Sequence, residues 1–178
     1  MPKYRRSHGR QLLAAALLLL LAALRFFNGA SHDETTSAGG ATAALRPGVY
    51  EVERVVDGDT LYLRQDRMCV RLQGIDTPET VKKNSPVELY GPEATAFTKA
   101  FVADAGGRLR MEVDGESVDA FGRFLAFAWD GDRMLNEELV RAGLARGLLQ
   151  YDYGQQKKDR LRQAQREAQQ AGRGIWSR

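Results

Sequence analysis

From Gly48 onward apolar and polar side chains alternate in short runs. Val49 to Val56 alternates, Thr60 to Leu63 resumes the pattern, and Met68, Val70 and Leu72 interleave with Cys69, Arg71 and Gln73. A period of two over four to eight residues predicts half-buried strands. Asp57-Gly58 between the first two runs and Gln65-Asp66-Arg67 between the second and third read as turns, giving a β-meander. Gly91-Pro92-Glu93 then opens a helix that sets Phe97 and Phe101 on one face; the proline suits the first helical position and Gly106-Gly107 stops it. Leu109 to Val113 and Phe124 to Trp129 predict two more strands. Asn136 is placed to cap a short helix holding Glu137 to Val140 and ending at Gly143. Gln155 to Ala171 predicts a polar, Arg-rich helix stopped by Gly172, after which Ile175-Trp176 folds back onto the core.

Three strands, a helix, two strands and two helices form an α+β pattern. It matches a five-stranded OB-fold β-barrel with three helices, the partly open Greek-key barrel. A chain of 178 residues has room for one such domain, over 48–178, and a leader. Residues 1–27 differ in kind. Lys3, Arg5, Arg6 and Arg10 precede an uncharged apolar run from Leu12 to Leu24, the order of a charged n-region and an h-region. The run is apolar all round, so it is no amphipathic surface helix. It is shorter than the roughly 17–25 residues that span a bilayer comfortably, which favours an export signal. Gly29-Ala30-Ser31 is a poor cleavage site, however, which leaves an uncleaved hydrophobic helix anchored in the membrane as the alternative. Residues 28–47, rich in Gly, Ala, Ser and Thr, read as a flexible tether.

The formal charge of +3 suggests a nucleic-acid partner until it is located. Six Lys/Arg and two Asp/Glu precede Gly48, leaving 20 of the 26 bases and 21 of the 23 acids in the domain. The excess belongs to the leader, so net charge says nothing about what the domain binds. Both histidines, His8 and His32, lie before Gly48, and Cys69 is the only cysteine. The domain therefore has no Ser-His-Asp or Cys-His site, no His-based zinc site, no Cys-rich metal cluster and no internal disulfide. Any catalysis must rest on carboxylates, hydroxyls, Lys, Arg and a hard cation.

Asp57-Gly58-Asp59-Thr60 places two carboxylates at a hairpin, and Asp76-Thr77-Pro78-Glu79 places two more after the third strand. Each cluster has an ordinary explanation: Asp-Gly is a common turn, and Asp76 with Glu79 fits a helix capping box. Arg71 shifts the balance, because it alternates onto the face opposite Val70 and Leu72, where a charge entering a barrel mouth needs an anionic partner. Phe121-Gly122-Arg123 adds a second guanidinium at a strand start. Oxygen ligands for a divalent cation, a carboxylate to activate water and planar donors to clamp phosphate are what phosphodiester hydrolysis requires.

In order and at similar spacing, six segments resemble the staphylococcal nuclease (thermonuclease) family: Asp57-Gly58-Asp59-Thr60, Arg71 to Glu79, Tyr90-Gly91-Pro92-Glu93-Ala94, Phe121-Gly122-Arg123, Asn136 to Arg141, and Gly174-Ile175-Trp176-Ser177. The resemblance covers roughly Val49 to Ser177. It implies a calcium-dependent endonuclease acting on DNA or RNA and leaving 3′-phosphate and 5′-hydroxyl ends. On that pattern Asp59, Asp76 and the backbone carbonyl of Thr77 bind Ca²⁺, and Glu79 deprotonates the attacking water. Arg71 holds the phosphate, and Arg123 stabilises the growing charge and assists the leaving oxygen. The chain departs from the pattern where a Tyr before Gly-Arg is Phe121 and a stacking Tyr is Leu149, with Tyr151 left nearby to bind substrate. A Lys-rich loop is reduced to Lys82-Lys83.

Two rivals differ in what they need. A non-catalytic OB-fold module that binds nucleic acid has no use for Asp59, Asp76 and Glu79, which repel phosphate unless a cation lies between them. A small-molecule phosphatase would act on phosphomonoesters. Nothing in the sequence calls for an oligomer, so a monomer is expected.

Overall fold

The computed structural model describes residues 44–80 and 88–177, all within the unit Thr42–Arg178. The export-segment reading, most of the tether and Lys82-Lys83 lie outside the described residues. Among those described, no helix is long and apolar enough to cross a membrane.

Strand β1 (Gly48–Val55) serves two neighbours. Gly48 to Glu51 pair antiparallel with Met111 to Arg108 of β5 (Arg108–Glu112), while Val52 to Val55 pair with β2 (Thr60–Leu63). An irregularity between Val52 and Arg54 marks the handover, since a bulge bends a strand and raises its twist. β2 continues to β3 (Cys69–Leu72), and β5 to β6 (Phe124–Asp130). Parallel pairing of Val70, Arg71 and Leu72 with Phe124, Leu125 and Ala126 joins β3 to β6 and closes the barrel. Closure leaves no long edge of unpaired backbone. The alternation read in the sequence points Leu61, Leu63, Val70, Leu72, Leu109, Met111 and Phe127 inward, each with at most 1% of its surface exposed.

Three two-residue strands were not foreseen: β4 (Ile75–Asp76), β7 (Arg133–Met134) and β8 (Arg146–Gly147). Such segments are too short to show a period. β4 pairs with β8, setting Asp76 opposite Arg146.

Helix α1 (Gly91–Asp104) buries Ala94, Thr98, Phe101 and Val102 and ends at Gly106 and Gly107, both at positive φ. Helix α3 (Gln155–Gln170) is polar except for the stripe Leu161, Ala164 and Ala168, whose spacing keeps them on one buried face. Helix α2 (Leu135–Arg141) corrects the reading of Asn136. The helix opens after Met134, and Asn136 sits inside it, fully buried. Its Oδ1 accepts from the Ala128 amide at 3.0 Å and its Nδ2 donates to the Gln73 carbonyl at 2.9 Å. Backbone groups inside the barrel need partners that water cannot supply, and that need outweighs the capping preference. The capping box at Asp76 and Glu79 does not form either: Asp76 is in β4, and residues 77–79 carry no regular structure.

Candidate active site

The Asp57-Gly58-Asp59 turn joins β1 to β2 and delivers Asp59 into the protein. Oδ1 of Asp57 accepts from the Asp59 amide at 3.1 Å, fixing the turn. The turn also presses against α1: a Cβ on Gly58 would stand 2.7 Å from the Ala94 Cβ and 2.8 Å from the Thr77 side chain. Only glycine allows that approach, and Thr98 Oγ1 secures it by donating to the Gly58 carbonyl at 2.6 Å.

Asp59 is only 1% exposed. Its Oδ2 accepts from both the amide and the hydroxyl of Thr77, each at 2.9 Å, and its Oδ1 from Thr60 Oγ1 at 3.2 Å and from Arg71 Nη1. Burial nevertheless dominates and, with the Asp57 charge, pushes the Asp59 carboxyl up to about 6 against the opposing pull of Arg71 and Thr77. Arg71, on β3, reaches the other way with Nη2 to Oδ1 of Asp76 at 2.7 Å. Burial disfavours its cation, but Asp59 and Asp76 more than offset that and hold it above the ordinary arginine value.

Glu79 lies just past β4, half-buried; its Oε1 accepts from the Thr80 amide at 3.1 Å, and its own amide donates to Glu88 Oε2 at 3.2 Å. Arg123 immediately precedes β6, the strand that pairs with β3. Asp119 holds it: Oδ2 accepts from Arg123 Nε at 2.7 Å, while Oδ1 accepts from the amides of Phe121 and Arg123 at 2.9 and 3.0 Å. These bonds outweigh burial and keep the Asp119 carboxyl below its usual range. A bond through Nε leaves both Nη atoms to point elsewhere.

One open cleft of about 480 Å³ is lined by Asp57, Asp59, Arg71, Asp76, Thr77, Pro78, Glu79, Phe121 and Arg123. The predicted catalytic and metal residues are thus brought together. Tyr151 is not among them; it is 54% exposed, and no atom of it lines the cleft. Phe121 lines the lip and is 85% exposed. Sequence reasoning missed Asp119, whose signal was its place two residues before Phe121 and four before Arg123, the spacing of an Asx turn.

The donor set fits a hard divalent cation. Every candidate ligand is oxygen, and a buried carboxylate whose ionisation is opposed by burial gains most from a cation beside it. Among the described residues no three His, Cys, Asp or Glu side chains form a cage. An ion here would therefore lean on Asp59, Asp76 and backbone oxygen and complete its shell with water.

The model of staphylococcal nuclease homologues matches residues 69–178. The thermonuclease of Staphylococcus hyicus is 43% identical over 130 residues, spanning 72% of this chain and 75% of that protein. The thermonuclease of Staphylococcus intermedius is 45% identical over 131 residues, 72% of this chain and 76% of its own. Endonuclease YncB of Bacillus subtilis is 35% identical over 130 residues, 71% and 61% respectively. With the closed barrel and the arginine-carboxylate cleft already in place, the chain belongs to the staphylococcal nuclease family.

Proposed function

We propose that this protein is a metal-dependent nuclease that hydrolyses DNA or RNA with Ca²⁺, leaving 3′-phosphate and 5′-hydroxyl ends. The observation that carries the reading is the convergence of three carboxylates, Asp59, Asp76 and Glu79, and two guanidinium groups, Arg71 and Arg123, on one cleft. Relatives named as thermonucleases and endonucleases support it.

Asp59, Asp76 and the Thr77 carbonyl would hold Ca²⁺, which would supply charge neutralisation at the phosphate and make a bound water more acidic. The protein's own groups supply the rest. Glu79 Oε takes the proton of the attacking water. Each Nη of Arg71 carries two hydrogens, so its bonds to Asp59 and Asp76 leave a second donor apiece for the phosphate oxygens. Arg123, aimed by Asp119, donates to oxygens that gain charge as the attack proceeds and to the departing 5′ oxygen. A pure binding module has no use for three carboxylates facing a phosphate. The reading extends to an exported monomer, secreted or held on the membrane by residues 1–27.

The test uses the full-length protein with single-stranded DNA, duplex DNA and RNA, in Ca²⁺ or in EGTA, beside Glu79→Gln. Cleavage is expected only with the metal, and the variant is expected to lose about 100- to 10,000-fold in kcat with its thermal unfolding unchanged. Tight binding without cutting in any divalent metal would replace the nuclease by the binding module.

A further inference from the structure

Beside the cleft lies a second depression of about 320 Å³, and Asp76, Thr77 and Pro78 form the wall the two share. Its far side carries Arg146, exposed and set opposite Asp76 by the β4–β8 pairing. The Arg146 guanidinium lies 5.1 Å from the centre of the Trp176 ring, and among the described residues no carboxylate pairs with it. The two acids of this depression are already engaged: Asp76 accepts from Arg71, and Glu88 accepts from the Glu79 amide. An anion entering here therefore meets one guanidinium with no carboxylate partner and two carboxylates, of which Asp76 has its charge offset by Arg71.

The remaining lining is Leu89, Tyr90, Ile175 and Ser177, one aromatic ring and two aliphatic side chains beside a hydroxyl. Leu89 is 77% exposed. Tyr90 stands at φ +72, a conformation an aromatic residue seldom adopts, and its hydroxyl shares a 2.6 Å bond with Ser177 Oγ. The C-terminal turn thus pins Tyr90 in place at the depression's edge. A basic side chain set among flat and apolar side chains is how proteins hold unpaired nucleotides, with phosphate on the cation and base on the apolar face.

We infer that this depression is a second nucleotide subsite, taking the phosphate and base next along a single-stranded chain from the bond cut in the main cleft. The inference rests on the nuclease reading and adds where the polymer runs: from Arg123 and Phe121, over the Asp76–Pro78 wall, to Arg146. A strand crossing a wall between two depressions must bend and turn its bases outward, which a single strand does freely and a stacked duplex resists.

Binding of a dT ladder from two to twelve nucleotides to the full-length protein carrying Glu79→Gln, in Ca²⁺, followed by fluorescence anisotropy, tests it. On this background affinity rises as the ladder grows long enough to reach both depressions. Arg146→Ala is expected to weaken binding of the twelve-mer about tenfold and to reduce the slope of log Kd against log salt by about 0.7, one phosphate contact on a single strand. Arg146→Lys keeps that slope, and Leu89→Ala weakens binding without changing it. Unchanged affinity and slope in Arg146→Ala would overturn the subsite while the wild type still cuts DNA. Failure of the wild type to cut any polynucleotide in any divalent metal would overturn the nuclease reading instead. Duplex bound as tightly as single strand, and hurt equally by Arg146→Ala, would sink the commitment to unpaired chains.

Discussion

Arg123 depends on Asp119, an aspartate the reaction itself never touches. Three bonds converge on that one carboxylate, two from amides that shape the 119–123 turn and one from Nε that aims the guanidinium. Asp119→Asn separates the two jobs. The amide oxygen still accepts the backbone N–H groups, but the other end now offers hydrogens to Nε and repels it. Misplacement of a catalytic group by about 1 Å costs up to about 100-fold, so Asp119→Asn is expected to lower kcat about 10- to 100-fold with KM and thermal unfolding close to wild type. A kcat that stays unchanged would show that Arg123 finds its place unaided. That Asp59, Asp76, Glu79 and the two arginines would share a cleft was legible in the sequence, because a domain without histidine leaves few residue types from which to assemble a site. Asp119 was not, since an aspartate near a glycine reads as an ordinary turn until its second oxygen is seen to have a partner. Tyr151, named because it stands two residues from Leu149, where the family pattern carries a stacking tyrosine, does not line the cleft.

At the scale of elements, strands were read well wherever one face is buried, because a one-residue slip would turn the whole core face to water. The boundaries of β2 and the alternation within β3 follow directly; β1 departs from it, since Val49 is 54% exposed and the register shifts between Val52 and Arg54. What could not be read is long-range: the parallel β3–β6 pairing joins residues more than fifty positions apart, and no local pattern encodes it. Asn136 belongs to this class. Its side chain ties α2 to the Ala128 amide of β6 and the Gln73 carbonyl beyond β3, so one residue connects a helix to both sides of the barrel seam. Asn136→Leu leaves two buried backbone groups unpaired, each costing about 1–3 kcal/mol. A loss of about 2–6 kcal/mol is therefore expected in urea denaturation, with the m-value unchanged. A loss below about 1 kcal/mol would mean that the seam holds without it.

For the described unit as a whole, α3 is docked by charged contacts as well as by its narrow apolar stripe. Lys157 Nζ reaches Glu112 Oε1 at 2.7 Å and Asp114 Oδ2 at 2.8 Å, and the Gly154 amide donates to the same Asp114 oxygen at 3.1 Å. The Lys157 bond is the main reason that the Asp114 carboxyl sits below its usual range, with the Gly154 amide adding to it and burial opposing. A carboxylate lowered in the folded state contributes stability that is fully present above its unfolded value of about 3.9 and is lost as pH falls through the folded value. Asp114→Asn removes that contribution, so wild type and variant should differ by about 1 kcal/mol at neutral pH, and the gap should close below about pH 4. Urea midpoints at several pH values, read as the difference between the two proteins, cancel every other titrating group, Asp59 included. A gap that persists undiminished into acid would mean that Asp114 holds α3 by shape rather than by charge.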